Sequence, residues 1–386
     1  MVNTWHKVSA VLAGLLASAG AHALQFNMTP GVTDNSQRAF HLHMTAFWIC
    51  VVIGIIVFGA MFYSIIKHRK SVHPKPAHFH ENTLVEIVWT IIPVLILVVL
   101  AVPAIKTLLA MEDTREADMT VMVTGSQWKW HYKYIDAGGE DLQDIAFYSV
   151  LATPRDQFEN YSGPGAEKGE HYLREVDKPL VLPTGKKVRF LVTSEDVIHS
   201  WWVPAFAVKK DAIPGFINET WTKINEPGVY RGVCAELCGK DHGFMPIVVQ
   251  AVSPDDFKKW VADTRTAIAE QKKADEANSD KIWAMDDLMK KGEEVYGKNC
   301  AACHQATGLG VPPAFPALKG SKVATEKDQI PQHIHQVIKG KNNMPPFGAM
   351  LSDLEIAAVV TYERNAWGNN TGDVIQPKDV KAARKE

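Results

Sequence analysis

Cys234-Ala-Glu-Leu-Cys238-Gly-Lys-Asp-His242-Gly-Phe-Met245 places two thiols, an imidazole and a thioether within one short stretch. Sulfur and imidazole donors select copper, zinc or iron–sulfur centres over hard cations. A mononuclear blue-copper site takes one thiolate, two imidazoles and a weak axial thioether, so this stretch has one Cys too many and one His too few. Two bridging thiolates would serve two copper ions, leaving each metal one His and one weak axial ligand. The missing imidazole is His199, in Glu195-Asp196-Val-Ile-His199-Ser-Trp201-Trp202. A Cys234–Cys238 disulfide and a zinc site are the competing readings. Neither uses Met245 or a second imidazole. The ligand count points to a binuclear copper centre built from His199, Cys234, Cys238, His242 and Met245.

Around this stretch, from Met119 onward, the chain alternates in short runs. Val121 and Val123 alternate, as do Val188, Phe190 and Val192, with turn signals at Gly138-Gly139, Pro183-Thr-Gly185 and Pro227-Gly228. Many short strands with such punctuation predict a sandwich or barrel. A Greek-key sandwich brings the strand ending near His199 and the Cys234–Met245 loop to one pole. In Gln127-Trp128-Lys129-Trp130-His131-Tyr132, a period of two predicts Trp128, Trp130 and Tyr132 on one face of a strand. Core packing and a role as an exposed electron-input tryptophan both stay open for Trp128. The polar segment 162–177 reads as an inserted loop.

Upstream lie a basic start, the apolar run Val8–Ala19 and Ala21-His22-Ala23, which together predict a secretory signal cut after residue 23. Two apolar blocks follow, at about 44–66 and 87–110, each long enough for a span of roughly 20 residues. Lys67-His-Arg69-Lys70 and Lys75 between them place that loop in the cytoplasm and the rest of the chain outside. A soluble protein with two buried core helices is the competing reading. Glu86, at the mouth of the second block, suits a helix start. It also suits a proton pathway, which ionisable groups at membrane spans often mark. The net charge of −2 over 386 residues excludes a strongly basic nucleic-acid binder, and the length suits two to three domains.

Downstream, Ser253-Pro254-Asp255-Asp256 opens a helix, and the charged stretch after it predicts a helical or partly flexible tether. Cys300-Ala-Ala-Cys303-His304 is the c-type haem attachment pattern, two thioethers with His304 on iron. The sixth ligand expected downstream is Met344, in Asn342-Asn-Met344-Pro345-Pro346-Phe347, with Met350 as second choice. Ser352-Asp-Leu-Glu355 reads as a capping box opening an amphipathic helix, so this part is a small all-α haem domain. Cys50, alone in an apolar run, reads as a small buried hydrophobe.

From about Gln25 to Gly368, these motifs resemble subunit II of haem–copper cytochrome c oxidases, in the bacterial variant with a fused C-terminal cytochrome c domain. Residues and resemblance together divide the chain into a signal 1–23, N-terminal segment and transmembrane hairpin 24–117, cupredoxin-like copper domain 118–253, linker 254–285, cytochrome c domain 286–369 and polar tail 370–386. The resemblance implies the binuclear centre called CuA on His199, Cys234, Cys238, His242 and Met245, with the Glu236 carbonyl as a further ligand. Its side chain is implied at a magnesium ion shared with subunit I. Trp128 matches the family's electron-input tryptophan, and Glu86 its glutamate at a proton-channel entrance. Lys129 departs from the family, which commonly has an aromatic there. The implied partners are subunit I, subunit III, and cytochrome c or another donor complex, in a bacterial inner membrane with both redox domains outside. The implied function is electron transfer from haem c to CuA and on to subunit I, where oxygen is reduced and protons are translocated. A copper-containing subunit of a nitric oxide reductase and a membrane-tethered copper-delivery protein are the alternatives.

Overall fold

The computed structural model describes residues 27–75, 78–159, 168–342 and 344–385. The expected signal and the part of the insertion before residue 168 lie outside the described residues.

One compact unit, through Leu108 apart from residues 32–35, is dominated by two long helices. Helix α1 runs Asp34–Lys67 and α2 runs Thr83–Met111, longer than the spans expected from hydropathy. At about 1.5 Å per residue, the 34 residues of α1 reach well beyond a hydrocarbon core of about 30 Å. Its polar opening turns, Asp34 to His43, fall outside the apolar block. Pro93 and Pro103 lie inside α2, and none of its residues is buried in the structure. Soluble core helices bury a face, so the soluble reading fails and the helices fit a bilayer. Glu86 sits in the first turn of α2, where its carboxylate accepts from the Asn82 N–H at 3.4 Å.

The second unit holds both redox domains. The strands that place the sites are β1 (Met119–Ser126), β2 (Lys129–Ala137), β6 (Lys187–Ser194), β7 (His199–Val203), β10 (Gly228–Cys234) and β11 (Pro246–Val252). The sandwich pairs one sheet in the order β3 (Glu140–Asp141), β2, β1, β6 and β9 (Asn218–Lys223), with β4 (Ala146–Ser149) also on β2, against another in the order β5 (Leu180–Pro183), β11, β10, β7 and β8 (Val208–Ala212). β1 pairs in parallel with β6 and antiparallel with β2. Alternation in β6 buries Val188, Phe190 and Val192, and they meet Trp130, Tyr132, Tyr134 and Trp201 in one core. Burying each such side chain contributes about 1.5–3 kcal/mol.

Trp128 is not part of the strand, although it joins the same core cluster as Trp130. It lies in the β1–β2 turn, just before β2 begins, and the inward residues of β2 are Trp130, Tyr132 and Tyr134. A turn residue is free of the strand's alternation, and this turn carries Trp128 to the pole where the copper ligands gather.

The linker is one continuous helix, α3, Pro254–Asp280, capped by the Ser253 hydroxyl accepting from the Asp256 N–H. Its start is packed: Phe257 and Val261 are buried, and Trp260 lies 5.2 Å from the Tyr134 ring. Beyond it come α4 (Met285–Asn299), α5 (Ala301–His304), α6 (Ile330–Lys339), α7 (Asp353–Asn365) and α8 (Pro377–Ala383). Helices α4 and α7 cross closely at Gly292, where a Cβ would stand 2.2 Å from the Ala358 carbonyl oxygen. The capping box at Ser352 and Glu355 forms as expected. The segment after residue 370 is more than a polar tail. Ile375 and Val380 are buried, and Arg384 Nε donates to Asp353 at 2.6 Å.

Candidate metal and haem sites

Three segments converge at the copper pole. β7 opens with His199, β10 ends at Cys234, and the loop from Cys234 leads through a short 3₁₀ turn at His242–Phe244 to Met245 and β11. The Cys234 and Cys238 sulfurs are 3.9 Å apart. His199 Nδ1 lies 3.9 Å from Cys234 Sγ and His242 Nδ1 3.5 Å from Cys238 Sγ. Met245 Sδ is 3.5 Å from Cys238 Sγ, and the Glu236 carbonyl oxygen is 3.4 Å from Cys234 Sγ. Every ligand expected from the sequence is thus gathered. The Glu236 side chain points outward and is exposed.

The donor chemistry fits two soft cations. The two sulfurs cannot both ionise easily: contact with Cys238 and with the His199 ring holds the Cys234 thiol well below its usual range, while contact with Cys234 and burial push Cys238 up. Two thiolates this close repel, and it takes bound positive charge to free both.

His199 is fully buried, and its Nε2 meets Asp196 Oδ1 at 2.9 Å. Burial works against a charged ring, but Asp196 and Cys234 outweigh it and raise the pKa. With Nε2 engaged by a carboxylate, Nδ1 is turned toward the sulfurs, the usual way a ligating imidazole is oriented. Asp196 also accepts from the Gln127 N–H at 2.7 Å. Gly125 makes room for the ring, since a Cβ there would stand 2.9 Å from it. Asp196 and Gly125 carry no sequence signature for these tasks.

Trp128 links this pole to the haem domain. Its indole Nε1 donates to the Cys238 carbonyl at 3.2 Å, and Gln127 Nε2 donates to the same oxygen at 2.7 Å. The other side of the indole meets Phe315 of the haem domain edge-on, with ring centroids 6.5 Å apart.

Phe315 borders a cleft of about 1500 Å³ lined by Cys300, Cys303, His304, Met344 and Met350, and also by Trp128 and Lys129. His304 Nδ1 is 2.9 Å from the Pro316 carbonyl oxygen. Nδ1–H therefore donates there and Nε2 is left as the metal-facing nitrogen. Two thiols, an oriented imidazole and a thioether around a cleft of this size fit a covalently held haem c. Burial raises the pKa of both thiols, Cys303 to about 11.

Comparison with known proteins assigns families to the domains that hold the two sites. Residues 21–107 match the family described as cytochrome C oxidase subunit II, transmembrane domain. Residues 119–252 match cytochrome C oxidase subunit II, periplasmic domain, and residues 287–362 match cytochrome C oxidase, cbb3-type, subunit III. A probable cytochrome c oxidase subunit 2 of Rickettsia prowazekii (strain Madrid E) is 40% identical over 240 residues, 62% of this chain and 72% of that protein. Cytochrome c oxidase subunit 2 of Cyanidium caldarium is 36% identical over 241 residues, 62% of this chain and 91% of that protein. The crystal structure of the periplasmic domain of subunit II of cytochrome oxidase (CoxB) of Bradyrhizobium japonicum shares 40% identity. It covers 40% of this chain and 99% of that one, with a TM-score of 0.34.

A membrane hairpin, a cupredoxin-like sandwich with a copper pole and a cytochrome c domain define an electron-transfer subunit of a respiratory terminal oxidase. The chain belongs to the cytochrome c oxidase subunit II family, with a cytochrome c domain fused at its C-terminal side. Its family carries CuA, its C-terminal domain carries haem c, and it works in complex with subunit I, where the oxygen chemistry lies. The nitric oxide reductase and copper-delivery readings are not favoured.

Proposed function

We propose that electrons move from haem c to CuA through Trp128. His199, Cys234, Cys238, His242, Met245 and the Glu236 carbonyl hold the two coppers in this reading. Cys300 and Cys303 hold the haem, with His304 and Met344 on its iron. The observation that carries the reading is the position of Trp128, bonded to the Cys238 carbonyl on one side and packed against Phe315 of the haem cleft on the other. When bound, the two groups each take up and release single electrons. The chain's own part is to hold them at a fixed separation, to exclude water with the buried Trp128 edge, and to keep His199 and His304 in the right tautomer.

Around that relay the proposal has further parts. The exposed Glu236 carboxylate binds magnesium at the boundary with subunit I. Glu86 stands at the entrance of a proton channel. Subunit III completes the complex, cytochrome c or another donor complex supplies electrons, and the membrane is the bacterial inner membrane with both redox domains on its outer side.

Copper and haem content of the isolated full-length chain, wild type and Cys234→Ser, tests the site assignment. The expected result is two coppers per haem in the wild type, and loss of copper with haem retained in the variant. One copper per haem in the wild type would refute the binuclear site.

A further inference from the structure

Lys129 sits next to Trp128 at the start of β2 and is only 6% exposed. Its ammonium makes no hydrogen bond or ion pair with any of the described residues. Instead Nζ lies 4.8 Å from the centre of the Phe347 ring and 5.5 Å from that of Tyr148. Tyr148 belongs to the copper domain, on β4 (Ala146–Ser149). Phe347 belongs to the haem domain, three residues beyond Met344, and its N–H is fixed to the Val337 carbonyl of α6 at 3.0 Å. Lys129 also lines the cleft that holds Cys300, Cys303 and His304.

An ammonium on a side chain buried this far gives up part of its hydration, which is costly. Two aromatic faces recover part of that cost, because a desolvated cation over a ring is held more strongly than an exposed one. Burial lowers the Lys129 pKa, while the nearby acids Glu195 and Asp196 support its charge. The charge lies between a ring of the copper domain and a ring of the haem domain.

We propose that Lys129 is a positioning residue for electron transfer within this chain: its charge latches the Met344–Phe347 loop onto the copper domain and so keeps the haem cleft seated on Trp128. The inference rests on the route through Trp128. The transfer concerned moves one electron between the two centres, with no bond made or broken. A fixed positive charge at the edge of the cleft also favours the electron-rich, reduced state of the group held there.

The test uses the intact oxidase complex, with Lys129→Met, Lys129→Arg and Trp128→Phe compared with wild type. Two quantities are read: the rate of copper reduction after flash reduction of haem c, and the haem c midpoint potential by optical titration. Lys129→Met should slow the transfer roughly tenfold and lower the haem midpoint. Lys129→Arg, which keeps the charge, should stay within about twofold of wild type in rate. A Lys129→Met complex that matches wild type in either quantity overturns the proposal, as does Lys129→Arg slowed as much as Lys129→Met. If the methionine variant does not assemble, Lys129→Arg slowed by more than about twofold overturns the proposal by itself. If Trp128→Phe leaves the rate unchanged, the route itself fails; if it slows the rate while Lys129→Met does not, only the latch fails.

Discussion

At the scale of single residues, the copper pole depends on a group that holds no metal. Asp196 accepts from the Gln127 and Val197 amides and fixes the one imidazole that comes from outside the cysteine loop. Asp196→Asn keeps the size and one acceptor oxygen but loses the charge behind the ring. It should weaken copper retention roughly 10–100-fold, measured by competition with a chelator, with haem content unchanged. Unaltered retention would mean that Asp196 only braces the turn. The convergence of His199, Cys234, Cys238, His242 and Met245 was legible because their number and type are restrictive: two thiols and a thioether left one imidazole unaccounted for, and His199 met the need. Asp196, Gly125 and the Phe315–Trp128 contact were not. Each acts through proximity between segments distant in sequence, and a carboxylate or glycine alone has too many ordinary uses to point to one.

At the scale of elements, hydropathy and alternation found both membrane helices, the sandwich strands and the capped helix at Ser352. They missed where strands end. Period two carried the strand back to Trp128, whereas it lies in the β1–β2 turn at the edge of the haem cleft. The linker was similarly under-read, since its charged composition conceals an apolar start. Phe257 and Val261 anchor α3 beneath Tyr134, while Arg265 reaches Glu140 and Asp144 at the surface, 2.7 Å to each. Packing should outweigh the surface charges here. Phe257→Ala is expected to cost about 3–5 kcal/mol of stability and Arg265→Ala only about 0–1 kcal/mol. Thermal unfolding of the full chain compares the two, and an equal or reversed order would contradict this weighting. After residue 370 the same lesson holds: Ile375 and Val380 were too few to mark a packed segment, yet both are buried.

At the scale of the whole molecule, the order of the parts along the chain was readable, and the seating of one redox domain on the other was not. Motif spacing says that a cysteine loop precedes a haem attachment site. It does not say that Phe315 and Phe347 of the haem domain meet Trp128 and Lys129 of the copper domain. That seating turns two separate centres into a relay toward subunit I. The most direct measurement of the relay is the rate of copper reduction after flash reduction of haem c in the intact complex, wild type against Trp128→Phe. Phenylalanine keeps an aromatic ring but removes the N–H that bonds to the Cys238 carbonyl. Transfer is expected to be roughly tenfold slower or worse once the hydrogen-bonded contact with the Cys238 carbonyl is lost, with copper and haem content intact. Transfer at the wild-type rate in a fully loaded Trp128→Phe complex would contradict it.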